Sequence, residues 1–262
     1  MLRSLKWVCI GLFLITAGIL IFHLLDFMSV EVPETAIRQE REAYIVSVPE
    51  VETEEQEPDF EPEQDESATT FELLPGILQL REQYSNPDIV GFLTIPNTNI
   101  SYPVAQTGNN VFYLYHDLNW NVSGAGSIFL DYENNLYTLT DDNFIIYGHN
   151  MRNGSKFHNL RYFHREDFFR AHTYILLDTP YQETVWDIFS FFHTTIDFCY
   201  LTTNFHSRDA FYEFLLKLQR RSIYTTDIVL SQEDQILILS TCGVTGGDNR
   251  YVVVARLRSD LF

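Results

Sequence analysis

Apolar positions follow three different rules along the 262 residues. Residues 7–25 (WVCIGLFLITAGILIFHLL) form an unbroken apolar run with no formal charge, residues 26–70 are polar and rich in Glu and Pro, and residues 71–262 alternate short apolar or aromatic runs with turn residues. A nineteen-residue apolar helix matches a hydrocarbon core of roughly 30 Å. Arg3 and Lys6 precede the run and an acidic segment follows it, so the positive-inside bias predicts a cytoplasmic end at 1–6, a membrane anchor at 7–25 and everything beyond it outside the cell. The alternative is a cleaved signal peptide. The run is long for such a segment and no A-x-A site follows it, so the anchor is the reading kept.

Within 71–262 the first periodicity is helical: over 74–84, Ile77, Leu80 and Tyr84 share one face, and Asn86-Pro87 predicts the stop. From Asp88 onward β-branched and aromatic runs recur between turn signals, predicting strands at 89–95, 100–105, 127–131, 144–147, 174–177, 184–193, 235–241 and 250–257. Eight strands in one domain favour closure into a barrel or sandwich, because closure removes exposed edges. One helical insertion separates the sixth and seventh strands. There Ser207 suits an N-cap, Phe211, Phe214, Leu215 and Leu218 recur at i, i+3, i+4 and i+7, and Asp209 and Arg220/Arg221 complement the dipole. The expected fold is mainly β, with an N-terminal helix and this second helix at the periphery.

Charge divides the chain along the same boundaries. The formal net charge is −19, from 17 Lys+Arg against 36 Asp+Glu, and −12 of it falls in residues 31–66. A Glu/Pro-rich stretch such as 48–67 buries too little to offset its ordering entropy and reads as a tether; a short helix over 34–43 is the alternative for its beginning. Fully extended, 36 residues reach roughly 120 Å, and like charges keep the tether off anionic lipid. With no basic stripe, nucleic acid is excluded as a partner. The 45% hydrophobic and 15% aromatic content supplies core for one compact domain in 71–262.

No Gly-rich phosphate loop, internal repeat or zinc-ligand spacing is present, so no cofactor is expected. His149, His158, His164 and His172 do not repeat on one helical face, and loop or surface positions are expected for them. Outside the apolar run only Cys199 and Cys242 remain, too few for a disulfide framework. Cys199 lies in an aromatic run and is expected to be buried there. Cys242 ends the apolar strand ILILSTC, ahead of the loop GVTGGDN, where a thiol is accessible. A nucleophilic Cys needs a partner that makes thiolate, because a free thiol titrates near ~8.5. His149 ends another β run, in NFIIYGHNMRNGSKF, where Gly148 and Asn150 predict a sharp turn. Arg250 opens the strand after Cys242, and hairpin geometry can return its guanidinium towards the thiol. Taken singly, each has a plainer reading: a packed Cys, a turn, a solvated Arg.

Taken together and in this order, the segments GFLTIPNTNISYPVAQ (91–106), GSIFLDYEN (126–134), DNFIIYGHNMRNGSKFHNL (142–160) and DQILILSTC followed by RYVVVAR (234–256) resemble the sortases, the Cys transpeptidases of Gram-positive surfaces, and class B most closely. The resemblance covers 71–262 and implies an eight-stranded sortase barrel with a catalytic Cys242, His149 and Arg250. It implies a thiolate that attacks the carbonyl after Thr in a C-terminal sorting signal, a thioacyl-enzyme, and release to an amine of peptidoglycan or its lipid-linked precursor. In residue chemistry, His149 serves as general acid and base, and Arg250 donates to the carbonyl or oxyanion because it stays protonated. Gly243 N–H is a candidate second donor, Ser240 and Thr241 are candidates for the groove or for strand packing, and Tyr147 for the wall of the site or for the core. Gly243 departs from the Asp that many class B members carry there. Asp248 stands near Arg250, as an orienting group or as a solubilising loop residue. Cys242 lacks the following Thr-Pro of the pilin-polymerising class. Two other functions are compatible with the residues: a thiol endopeptidase that uses water as acceptor, and a non-enzymatic tethered domain that binds through aromatic surface.

Overall fold

Where apolar positions run on without alternation, as over 143–149, both faces of a strand are buried, and where they alternate, as over 174–178, one face is. The computed structural model describes residues 72–195, 198–242 and 249–258, with Cys242 described by its backbone; all lie within the unit Asp65–Phe262. The apolar run 7–25, the acidic segment 26–70, Gly243 and Asp248 lie outside the described residues. Among the described residues, no helix is long and apolar enough to cross a membrane.

Eight strands form in the expected order: β1 (Ile89–Thr94), β2 (Ser101–Ala105), β3 (Ile128–Leu130), β4 (Asn143–His149), β5 (Tyr174–Asp178), β6 (Glu183–Thr194), β7 (Ile236–Cys242) and β8 (Arg250–Leu257). They close into a barrel, β1-β2-β3-β4-β7-β8-β6-β5, with β5 returning to β1. Two pairs are parallel, β2 with β3 and β4 with β7; the remaining pairs are antiparallel. Among the described residues the helices are α1 (Pro75–Tyr84), α2 (Phe112–Tyr115), a 3-10 helix (Phe157–His164), α3 (Glu166–Ala171) and α4 (Arg208–Arg221).

One core cluster draws residues from every strand, among them Leu93, Val104, Ile146, Trp186, Leu239 and Val253, and so fills the barrel interior. The other lies on the outer wall of β4, β7 and β8, where Ile145, Tyr147, Ile236, Ile238, Val252 and Val254 meet Phe211, Phe214, Leu215 and Leu218 of α4 and Tyr113 of α2. The outer wall of these strands is therefore the floor on which α2 and α4 sit. α4 is fixed at both ends. The Ser207 hydroxyl accepts from Ala210 N–H at 3.1 Å, as its sequence predicts, and Arg208 pairs with Asp142 just ahead of β4; at the far end Ser190 Oγ donates to the Leu218 carbonyl at 2.8 Å.

Three sequence expectations change. β4 does not stop at residue 147 before a turn: Gly148 and His149 remain in the strand, paired with Thr241 and Cys242. Gly148 is small for packing reasons, since a Cβ there would lie 2.4 Å from Ile128 Cδ1 and 2.8 Å from Phe157. The histidine-rich stretch after it is a 3-10 helix whose Phe157, Leu160 and Phe163, three residues apart, are fully buried; His158 is buried with them instead of sitting in a surface loop. Cys199 is exposed. Of its neighbours Tyr200 is buried, with its hydroxyl 2.9 Å from Ser240 Oγ, and Phe198 is half-buried, stacked on Tyr200 with ring centroids 6.2 Å apart. α1 forms and stops where its periodicity predicts, with Ile77 buried and Leu80 and Tyr84 half-buried, and the left-handed backbone of Ser85 turns the chain before Asn86-Pro87.

Candidate active site

Two of the three residues singled out by chemistry are register partners on adjacent strands, and the third opens the next strand. In the parallel β4/β7 pair, His149 is the register partner of Cys242. In the antiparallel β7/β8 pair the ladder ends at Ser240 opposite Val252, and Arg250 begins β8 two residues before Val252. Between them the Tyr251 N–H donates to Thr241 Oγ1 at 3.0 Å, which holds the strands together at this point. Residues directly across a sheet share a face. For His149 it is the outer one, because Tyr147, two residues before it on the same strand, belongs to the outer-wall core.

His149 is almost fully buried and its Nε2 lies 2.7 Å from the Leu114 carbonyl. A carbonyl only accepts, so Nε2 carries the proton and the neutral ring keeps its lone pair on Nδ1. Burial lowers the affinity of this imidazole for a second proton, the Leu114 carbonyl opposes that effect, and the Lys156 ammonium adds to it.

The placement of Leu114 is built. Asn109 Oδ1 accepts from the N–H groups of Val111 and Phe112 at the start of α2, both at 2.9 Å. The buried Tyr113 hydroxyl donates to Asp88 Oδ2 at 2.8 Å and accepts from Asn86 Nδ2 at 2.9 Å and Trp120 Nε1 at 3.1 Å. Gly126, at φ 53°, lets the α2 backbone approach: a Cβ there would lie 2.5 Å from the Leu114 carbonyl oxygen.

The remaining candidates divide. Ser240 and Thr241 are both 2% exposed, and Ser240 Oγ lies 2.9 Å from the Tyr200 hydroxyl, so both take the strand-packing alternative. Tyr147 belongs to the core, where its hydroxyl donates to Asp131 Oδ2 at 2.7 Å. Arg250 is half-buried; its Nη1 reaches the Asn249 carbonyl at 3.5 Å. Sequence reasoning missed Leu114, Gly126 and Lys156. A backbone carbonyl has no sequence signature, and the Gly126 signal was legible only as part of the turn before β3.

A closed mixed barrel with a thiol position in register with an imidazole is the framework of a cysteine transpeptidase. The chain belongs to the sortase family, and within it to class B: residues 93–258 match the family model of the sortase domain. It is 41% identical to sortase B of Listeria monocytogenes over 165 residues, 63% of this chain and 67% of that protein. It is 33% identical to sortase B of Staphylococcus aureus over 174 residues, 66% of this chain and 71% of that protein. Among solved structures, the Staphylococcus aureus sortase B–substrate complex superposes with a TM-score of 0.68 at 31% identity, over 71% of this chain and 86% of that one. Membership makes the protein a cell-wall sorting transpeptidase, and it implies sorting-signal substrates and a peptidoglycan-related amine acceptor.

Proposed function

We propose that this chain cleaves a C-terminal sorting signal after Thr through a thioacyl-enzyme on Cys242 and passes the acyl group to an amine of peptidoglycan or its precursor, while residues 7–25 anchor it in the membrane with 71–262 outside. The observation that carries the reading is the register of His149 on β4 with Cys242 on β7, with Arg250 opening the adjacent strand β8. The Cys242 thiol gives its proton to His149 Nδ1, the resulting thiolate attacks the Thr carbonyl carbon, and the C–N bond breaks. The leaving amine takes its proton from the His149 imidazolium. The incoming amine then gives a proton to His149 Nδ1 and attacks the thioester, and the thiolate leaves. With Nε2 held by Leu114, one nitrogen serves both proton transfers. The Arg250 guanidinium, and Gly243 N–H with it, stabilises the oxyanion of each tetrahedral intermediate.

The test uses the full chain in detergent with quenched peptides carrying N-P-x-T, S-P-x-T or L-P-x-T cores and an added amine. The expected product is the ligated peptide, with Cys242→Ala and His149→Ala slower by at least about 10³-fold. The reading fails if no peptide is cut or if either variant cuts as the parent does. Release of free acid in preference to ligated product would make the protein a thiol endopeptidase, and substrate binding without any thioacyl adduct on the parent would make it a binding domain.

A further inference from the structure

Asp88, in the turn between α1 and β1, has a half-buried carboxylate that makes no ion pair among the described residues. Its partner is the hydroxyl of Tyr113, a side chain 1% exposed, which donates to Asp88 Oδ2 at 2.8 Å. A phenol offers one donor and two acceptor positions, and all are taken here, the acceptor positions by Asn86 Nδ2 and Trp120 Nε1. Asn86 is held in turn: its Oδ1 accepts from the Asp88 N–H at 2.9 Å, and its Nδ2 also donates to the Leu118 carbonyl at 2.7 Å. Trp120 reaches the hydroxyl from a left-handed backbone, φ 63°, which bulky residues rarely adopt. Burial, and then the Asp88 carboxylate, push the Tyr113 pKa up, so the hydroxyl stays a donor at neutral pH.

The hydroxyl bears on the reaction through the next residue in the chain. The Leu114 carbonyl lies 2.7 Å from His149 Nε2, and the carbonyls around it are committed elsewhere. Tyr113 accepts from the Ser127 N–H at 2.8 Å, Tyr115 from the Ser123 N–H at 2.7 Å, and His116 from Ser127 Oγ at 3.0 Å. Those bonds tie α2 to the loop that leads into β3, while the Tyr113 side chain ties it to the turn that leads into β1. Because a peptide unit is planar, the Leu114 carbonyl points where its flanking residues set it. α2 is only four residues long and Tyr113 is its buried side chain, so the bond to Asp88 is what fixes the helix on the β1 side.

We propose that Asp88 and Tyr113 are positioning residues for the transfer reaction: by fixing the Leu114 carbonyl they hold His149 in its Nε2–H tautomer, which leaves the Nδ1 lone pair to take and return protons. The last clause rests on the role given to His149 above. A neutral imidazole without a fixed acceptor exchanges between two tautomers, and only one of them presents Nδ1 as a base. Losing the tie should therefore reduce the share of competent enzyme and lower kcat without weakening substrate binding.

The experiment reads the His149 tautomer from the two ring nitrogen shifts of the full chain labelled at histidine, with the signals assigned against His149→Gln. It separately measures kcat and KM for a sorting peptide with an added amine, in the parent, Tyr113→Phe, Asp88→Ala and Asp88→Asn. Phenylalanine keeps the buried ring and loses the hydroxyl; asparagine keeps an acceptor for it. In Tyr113→Phe and Asp88→Ala the two ring shifts should move towards each other as the Nδ1–H tautomer becomes populated. In both, kcat should fall roughly 10-fold, a part of the ~10²–10⁴-fold that a positioned acid and base supply, with KM within about twofold of the parent. Asp88→Asn should stay with the parent in tautomer and rate. Asp88→Ala leaves the Tyr113 ring in the core and serves if Tyr113→Phe misfolds. Ring shifts that superimpose on the parent in Asp88→Ala overturn the inference, whatever the rate does. A tautomer that moves while kcat stays leaves the tie from Asp88 to His149 standing and instead overturns the role of His149 in proton transfer.

Discussion

Gly126 acts on the site without touching it. Its missing Cβ is what lets the Leu114 carbonyl come within reach of His149, since an added methyl would press on the Leu114 and Tyr113 carbonyls at 2.5 and 2.6 Å. Gly126→Ala should therefore lower kcat/KM by about 10²-fold, the order expected for a misplacement near 1 Å. The melting temperature measured beside it tells displacement from unfolding. His149 also couples the site to stability. Burial holds its folded pKa below the ordinary 6.5, so the unfolded chain binds the proton more readily. The stability is present above about pH 6.5 and is lost as pH falls through the folded value. The melting temperature should drop between pH 7 and pH 5, and drop less in His149→Gln. At this scale the sequence disclosed side chains with reactive chemistry, Cys242, His149 and Arg250. It concealed what orients them, because a carbonyl such as that of Leu114 is common to every residue.

At the scale of elements, α4 is the part most completely written in local sequence: a capping Ser207, an apolar stripe and dipole-matched ends. Ser207→Ala should cost about 1 kcal/mol through the lost cap, and Phe211→Ala about 3–5 kcal/mol through lost burial and the cavity left; chemical denaturation reads both. Strand order and number were legible for the same reason, since alternation is local. Strand ends were not. Whether Gly148 and His149 continue β4 depends on β7, which arrives late in the chain, and on Phe157 filling the space beside Gly148. The 3-10 helix was missed because Phe157, Leu160 and Phe163 repeat with period three, which neither the helix nor the strand template fits.

At the scale of the whole molecule, the pairing that matters most joins segments more than ninety residues apart, His149 on β4 and Cys242 on β7. Long-range parallel pairing pays its loop-closure entropy before it is rewarded, so it forms late. On dilution from denaturant, far-UV signal from α4 and the hairpins should recover before transfer activity does; simultaneous recovery would contradict this order. The consequence concerns timing. While the barrel is open the thiol has no imidazole in register and keeps the low nucleophilicity of an unassisted cysteine, so a nascent or damaged copy is chemically silent and enzyme activity becomes a readout of completed folding.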